Sequence, residues 1–308
     1  SIGIYYLIVG ITGFLPIKDK NKKISDKTHK FALIISAHNE EVVIGNMVES
    51  LKQLDYPDDA YDIFVIADNC DDNTAKAREN ESKNPCYETY MALGGALAFQ
   101  MRYHEAIEWF EKAKALRPDD YDARRKCAGR YLSTLRIDDA KEEFSWCAEH
   151  ASDTLDPKYM LGCCKYYEGD FEGAKELFDE CIELAKGNGD MYVASLFWAV
   201  ACDARTGKRI DADMAKFDRD MEIGHHTGYM QSLNLFAGDS LSECDVIPDD
   251  DELQKCIFNY GAHLYYLSKG NAILADIFLA NTLKLDTYFS AFAYLGAYTE
   301  YIAQNGAD

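Results

Sequence analysis

Residues 31–36, FALIIS, are an unbroken apolar run, the pattern of a buried strand. In the stretch that follows, NEEVVIGNMVESLKQL, Val43, Met47, Leu51 and Leu54 fall at helical spacing, and YPDD ends it. DIFVIAD at 62–68 is a second β-branched run, and DNTAKAREN at 72–80 opens another helix. Strand, helix, strand, helix is the start of a parallel α/β unit, here βαβα over residues 31–82. ESKNPC then punctuates the chain, and no third strand pattern follows.

From residue 87 the pattern is helical and repeats every 34 residues. Ala106, Ala140 and Ala174 keep that step, as do Phe110, Phe144 and Phe178. Ala113, Cys147 and Cys181 keep it too, with Gly94, Ala128 and Gly162. A shared period at small and aromatic positions predicts a helical solenoid. The small residues let two antiparallel helices approach, and the Phe is expected to fill the gap between one hairpin and the next. Pro118 stops the second helix of the first unit. The register is clear over 87–188 and degenerates over 189–255, where GKRIDA at 207–212 arrives four residues later than GDFEGA at 169–174 predicts. It is clearer again over 256–289, with GNAILA at 270–275 in the turn position. The expectation is about five hairpins and a lone terminal helix over 290–302. YMALGGALAFQMRYHEAIEWFEKAKALRPDD closely resembles a tetratricopeptide repeat (TPR), so residues 87–308 are expected to form a TPR-like α-solenoid.

Residues 1–17, SIGIYYLIVGITGFLPI, carry no charge, and six Lys against two Asp follow over 18–30. An apolar helix with a basic linker is a candidate membrane anchor whose linker faces the cytoplasm. The run is shorter than the ~20 residues of a full span. A buried or interfacial helix is the alternative.

Charge narrows the partners. The net charge is -21, which argues against nucleic acid, because phosphate binding needs a basic footprint. Most of the excess falls after residue 86, so a protein or peptide partner there is expected to be basic or apolar. The ten cysteines include no C-x-x-C spacing, and most stand where a helix wants a small apolar residue. Reduced core thiols are expected.

SAHNEE after the first strand and ADNCDDNT after the second resemble the opening of a family 2 glycosyltransferase of GT-A fold, in particular its membrane-anchored members. The resemblance implies a nucleotide-sugar site at the carboxyl ends of the strands, where open parallel sheets bind ligands. It implies that Asp68 receives the uracil, that Ala37, Asn39 and Glu40 belong to the segment cradling the nucleoside, and that Asp72 and Thr74 complete the motif. Asp72 also suits a helix N-cap. Where the family commonly has Gly-Ser, this chain has Asn69-Cys70. The resemblance stops near Glu81: no Gln-x-x-Arg-Trp follows, and no catalytic base or residue is assigned. Asp211 and Asp213 form an Asp-x-Asp, but at a hairpin turn rather than after a strand. A solvated turn with an N-capping Asp is the expectation there, with a metal site the weaker candidate. His225-His226 is read as a surface pair. A small two-stranded unit buries little apolar surface alone, so catalysis by this chain alone is not expected. If the transferase reading holds, the cofactor set is Mg²⁺ or Mn²⁺ with a UDP-sugar.

In a TPR array the first helix of each hairpin lines a concave groove. The groove-facing positions would be Met91, Gly95, Phe99, Arg125, Tyr159, Cys163, Tyr166 and Tyr260, an aromatic and apolar lining with little positive charge. The Lys/Asn pattern that clamps a C-terminal carboxylate is missing, so a peptide with apolar anchors fits better. The alternative is that several of these Tyr pack against neighbouring helices. The leading expectation is a cytoplasmic protein-interaction scaffold, attached to the cytoplasmic face of a membrane if residues 1–17 are an anchor. The competing one is a sugar transferase whose repeats recruit an acceptor or partner.

Overall fold

The computed structural model describes residues 31–37, 47, 50–51, 61–67, 87–248 and 250–306. Phe31–Ala37 (β1) and Tyr61–Ala67 (β2) pair in parallel, with Phe31 opposite Tyr61 and Ala37 opposite Ala67. Met47, Ser50 and Leu51, inside the first expected helix, are helical. Residues 1–30 and the helix expected from residue 72 lie outside the described residues. Both strands touch the first helix of the array.

That array begins with three full hairpins. They are α1 (Tyr87–Phe99) with α2 (Tyr103–Leu116), α3 (Tyr121–Ser133) with α4 (Ile137–His150), and α5 (Leu155–Tyr167) with α6 (Phe171–Leu184). The long α7 (Gly189–Thr206) is followed by a single turn, α8 (Asp211–Met214), and α9 (Thr227–Phe236) by another, α10 (Leu241–Cys244). A full hairpin, α11 (Glu252–Ser268) and α12 (Ala272–Leu283), comes next. A 3₁₀ turn at Asp286–Tyr288 then leads into α13 (Phe292–Asn305).

The hairpins share one turn. After each of α1, α3, α5, α7, α9 and α11 comes a residue at positive φ: Met101, Leu135, Gly169, Gly207, Gly238 and Gly270. The next N–H then reaches back five residues, as Arg102 does to Leu97 at 3.0 Å and Asp170 to Lys165 at 2.9 Å. This is the Schellman closure, which satisfies carbonyls that the helix end leaves free. The six turns correct the expected count: the degenerate stretch holds two hairpins whose second helices are cut to a single turn each. Side-chain caps start some of the helices, α3 and α6 among them, whereas α2 and α4 begin without one. Asp120 accepts from the Ala123 N–H at 2.9 Å and Asp170 from Gly173 at 3.0 Å.

The period of small residues and Phe has a direct geometric cause. A Cβ placed on Gly94 would lie 2.5 Å from the Phe110 ring, and one on Gly162 would lie 2.8 Å from Phe178. The ring therefore lies on bare backbone of its own hairpin. This corrects the expectation that it only fills the space between hairpins, although Phe178 does continue outward to stack on Trp198 at 6.1 Å. Trp198 sits on α7, where residues 193 to 204 are all buried. A helix that is apolar all round must be covered on every side. α6, α8, α9 and α11 all touch α7. The eight described cysteines are buried free thiols. Burial pushes Cys127, Cys164, Cys181 and Cys256 up to about 12.

Met101 and Leu135 carry side chains in a left-handed conformation that disfavours them. Met101→Gly and Leu135→Gly are each expected to stabilise the fold by ~0.5–1 kcal/mol in chemical denaturation. Gly162→Val, driven into the Phe178 ring, is expected to cost about 1–3 kcal/mol in the same assay. Gly95→Ala is the control, since a Cβ there meets nothing within 4 Å.

Candidate functional site

The strands of the first unit end together at Ala37 and Ala67. Asn39, Glu40, Asp68 and Asp72 lie outside the described residues. Among the described residues no group of three or more His, Cys, Asp or Glu side chains could hold a metal ion, and no helix is long and apolar enough to cross a membrane.

Asp211 and Asp213 do not act together. Asp211 is paired with Arg209 at 2.7 Å in solvent. Asp213 is buried and takes Lys175 at 2.5 Å and Lys216 at 3.0 Å. Burial opposes its charge, yet the hydrogen bonds from Lys175 and Lys216 hold it below the usual carboxylate range. Burial, then a hydrogen bond to Asp213, raises the neighbouring Asp203 carboxyl. Asp179 joins them, meeting Lys175 at 3.5 Å and Lys216 at 2.9 Å, so two lysines are shared among three carboxylates. The reading of a solvated turn is thus corrected for Asp213, which fastens α8 to α6. His226 and His225 are held by their backbone: Asp190 Oδ1 accepts from the N–H groups of Gly224, His225 and His226 at 3.0 to 3.1 Å.

The concave face differs most from expectation. Met91, Tyr159, Tyr166 and Tyr260 are buried, as is Cys163. The chain's own end covers the tyrosines. Phe292 lies edge-on to Tyr159 at 5.8 Å, and its carbonyl accepts from the Tyr167 hydroxyl at 2.9 Å. Tyr166 and Tyr260 share a hydrogen bond of 2.9 Å between hydroxyls. Tyr103 reaches Ser290 at 3.0 Å and packs on Phe289. These tyrosines therefore pack within the fold rather than line an open groove. A buried polar cluster locks the cover in place. Glu300 of α13 meets Arg205 of α7 and, at 3.1 Å, His263 Nε2 of α11, whose Nδ1 contacts the Ala275 carbonyl at 2.9 Å. Burial opposes the Glu300 charge, but the His263 hydrogen bond and the Arg205 charge hold its carboxyl below the ordinary value.

Toward the start of the array the face stays open. A cavity of about 370 Å³ lies between α1 and α3, lined by Gly95, Ala98, Phe99, Phe110, Arg125, Lys126, Gly129 and Arg130. Phe99 is 91% exposed. Arg125 grips Asp156 of the third hairpin through Nε and Nη2, at 2.6 and 2.8 Å. Three cations on this cavity correct the expected lack of positive charge, because sequence spacing placed only Arg125 on the groove. A second cavity, of about 500 Å³, lies between the first two turns and α13, around Met101, Tyr103, Phe289 and Tyr298.

The tetratricopeptide repeat family model matches residues 87–120 and 155–188, the first and third hairpins. The array contains tetratricopeptide repeats. The second hairpin keeps the same 34-residue step between them. Over 42 residues the chain is 45% identical to a beta-monoglucosyldiacylglycerol synthase of Synechocystis sp.. That match takes in 14% of this chain and spans only 9% of the relative. Among solved structures, the chain is similar to YrrB, a TPR protein with an unusual peptide-binding site, at 16% identity and a TM-score of 0.39. The likeness covers 70% of this chain and 94% of that one.

Glu300→Gln, which keeps the shape but removes the charge that Arg205 and His263 face, is expected to destabilise the fold by about 3–5 kcal/mol. Hydrogen exchange should localise the loosening to residues 286–305. Because the folded carboxyl titrates below its unfolded value, its contribution is complete above the ordinary Glu range. It fades as pH falls through the depressed value. The wild-type minus variant stability gap should therefore close in acid.

Proposed function

We propose that this chain is a protein-interaction scaffold built on tetratricopeptide repeats, and that its binding face is the open end between α1 and α3. The repeats themselves carry the first part of that reading. Each hairpin exposes one helix face to the next, and a stack of such faces recognises extended or helical peptide segments. The second part rests on one observation: α13 covers the concave tyrosines farther along, while Phe99 and the cavity beside it are left to solvent. A large exposed aromatic beside a cleft favours a binding face.

A second reading concerns the first unit. The motifs at 36–41 and 67–74, together with the short similarity to the Synechocystis synthase, support a glycosyltransferase-like nucleotide-binding unit that takes a UDP-sugar with Mg²⁺ or Mn²⁺. In that reading the repeats recruit the acceptor or a partner, and residues 1–17 attach the chain to the cytoplasmic face of a membrane.

Two measurements separate these readings. On a peptide array spanning acidic, basic and neutral sequences, the full chain is expected to give saturable binders, and Asp68→Ala should leave them unchanged. No saturable binder of any composition would contradict the scaffold. For the second reading, a UDP-sugar with Mn²⁺ should raise the melting temperature, and Asp68→Ala should remove the rise. No shift at millimolar nucleotide sinks it.

A further inference from the structure

We propose that the cavity between α1 and α3 takes an acidic peptide segment, with a carboxylate on Arg130 and a neighbouring apolar side chain on Phe99. This rests on the scaffold reading and names the chemistry of its partner.

Arg130 is an exception among the arginines of the array. Residues 87–306 contain nine arginines. Eight have a carboxylate within 4 Å: Arg102, Arg117, Arg124, Arg125, Arg136, Arg205, Arg209 and Arg219. Arg130 has none among the described residues. In a chain of net charge -21 such a site is not for want of acids. The Arg130 guanidinium stacks on the Tyr103 ring at 4.4 Å, and this tyrosine is a neutral partner that does not balance the charge. Burial pulls this guanidinium below its ordinary value. A partly desolvated cation without a counter-ion costs free energy that a bound carboxylate would recover.

The surroundings agree. None of the eight cavity-lining residues is acidic, and three are cationic. Arg125 spends Nε and Nη2 on Asp156, while its Nη1 lies over Gly129, 3.0 Å from where a Cβ would stand. Lys126 lies over the Phe110 ring at 6.0 Å and pairs with Asp122 at 3.4 Å, an exposed pair that a ligand can displace. Gly95 leaves the floor open, and the volume of about 370 Å³ falls in the ordinary range for ligand clefts. Phe99 at the rim supplies the apolar contact. A polyanion such as RNA meets the same cations but must also approach the acidic remainder of the array, which repels it.

The test uses the full chain and a fluorescein-labelled peptide of about ten residues of alternating Glu and Leu. Matched probes carry Gln or Lys in place of Glu. Anisotropy should show the Glu probe binding at least ~10-fold more tightly than the Gln probe, with the preference shrinking at high salt. Arg130→Gln and Lys126→Glu should each weaken the Glu probe ~10-fold or more, and Phe99→Ser should weaken Glu and Gln probes alike. Lys126 is half-exposed, so Lys126→Glu keeps the test valid if Arg130→Gln fails to fold. Tyr298→Ser, at the other cavity, should change nothing. Equal binding of Glu and Gln probes, or full affinity in both charge variants, overturns the proposal. So does tighter binding of single-stranded RNA at these residues. Capture of the Lys or Gln probe alone overturns it while leaving the scaffold standing. Failure of every probe, and of every peptide on the array, removes both.

Discussion

An aromatic ring lying on bare backbone sets the spacing of the first hairpins. Phe110 on Gly94 and Phe178 on Gly162 leave no room for even a methyl group between ring and helix. That closeness fixes how far the two helices stand apart, and dispersion at such short range supports the contact. In the second hairpin the same positions are Ala128 and Phe144, both fully buried. Because Phe178 also faces Trp198 of the following hairpin, the spacing inside that unit is carried into the next. The buried helix α7 then receives this regular stack on one side and the irregular second half on the other.

Electrostatics ties the same units together across their seams. Glu143 of α4 is buried, and receives Lys114 of α2 at 2.6 Å and Arg124 of α3 at 2.9 Å. Arg125 reaches Asp156 of the third hairpin, and Lys175 of α6 reaches Asp213 of α8. Exposed pairs of this kind contribute little. The buried acids matter more, because removing one partner strands a charge. Part of the acidic content is therefore structural, since many of these carboxylates pair with lysines and arginines of neighbouring helices. Arg130 is outside that arrangement, and this makes the cavity beside it locally basic in an acidic protein.

What could be read from the chain alone was what lies within one hairpin. The 34-residue step, the small positions under Phe and the stop at Pro118 all act between residues close in sequence. The two parallel strands were legible from their apolar runs. The shared turn was half hidden, because Met101 and Leu135 hold a left-handed position that a reader looks for as glycine. Five hairpins were expected where six stand, because the turn at Gly238 leads into a second helix of one turn, which shows no periodicity. The cover over the concave face was illegible for a different reason. Tyr167 and Phe292 meet across 125 residues, and nothing in either local sequence announces the partner. That Arg130 meets no carboxylate among the described residues was likewise invisible, since it depends on where the acids of other helices come to lie.

A solenoid in which each unit touches only its neighbours can be lengthened, shortened or frayed from either end. The return of α13 onto α5, α7 and α11 breaks that rule. α13 acts as a clasp, joining units that are distant along the stack. Inserting or deleting a repeat between α5 and α11 would carry Glu300 away from Arg205 and His263. The number of units between α5 and α11 is therefore part of the architecture itself.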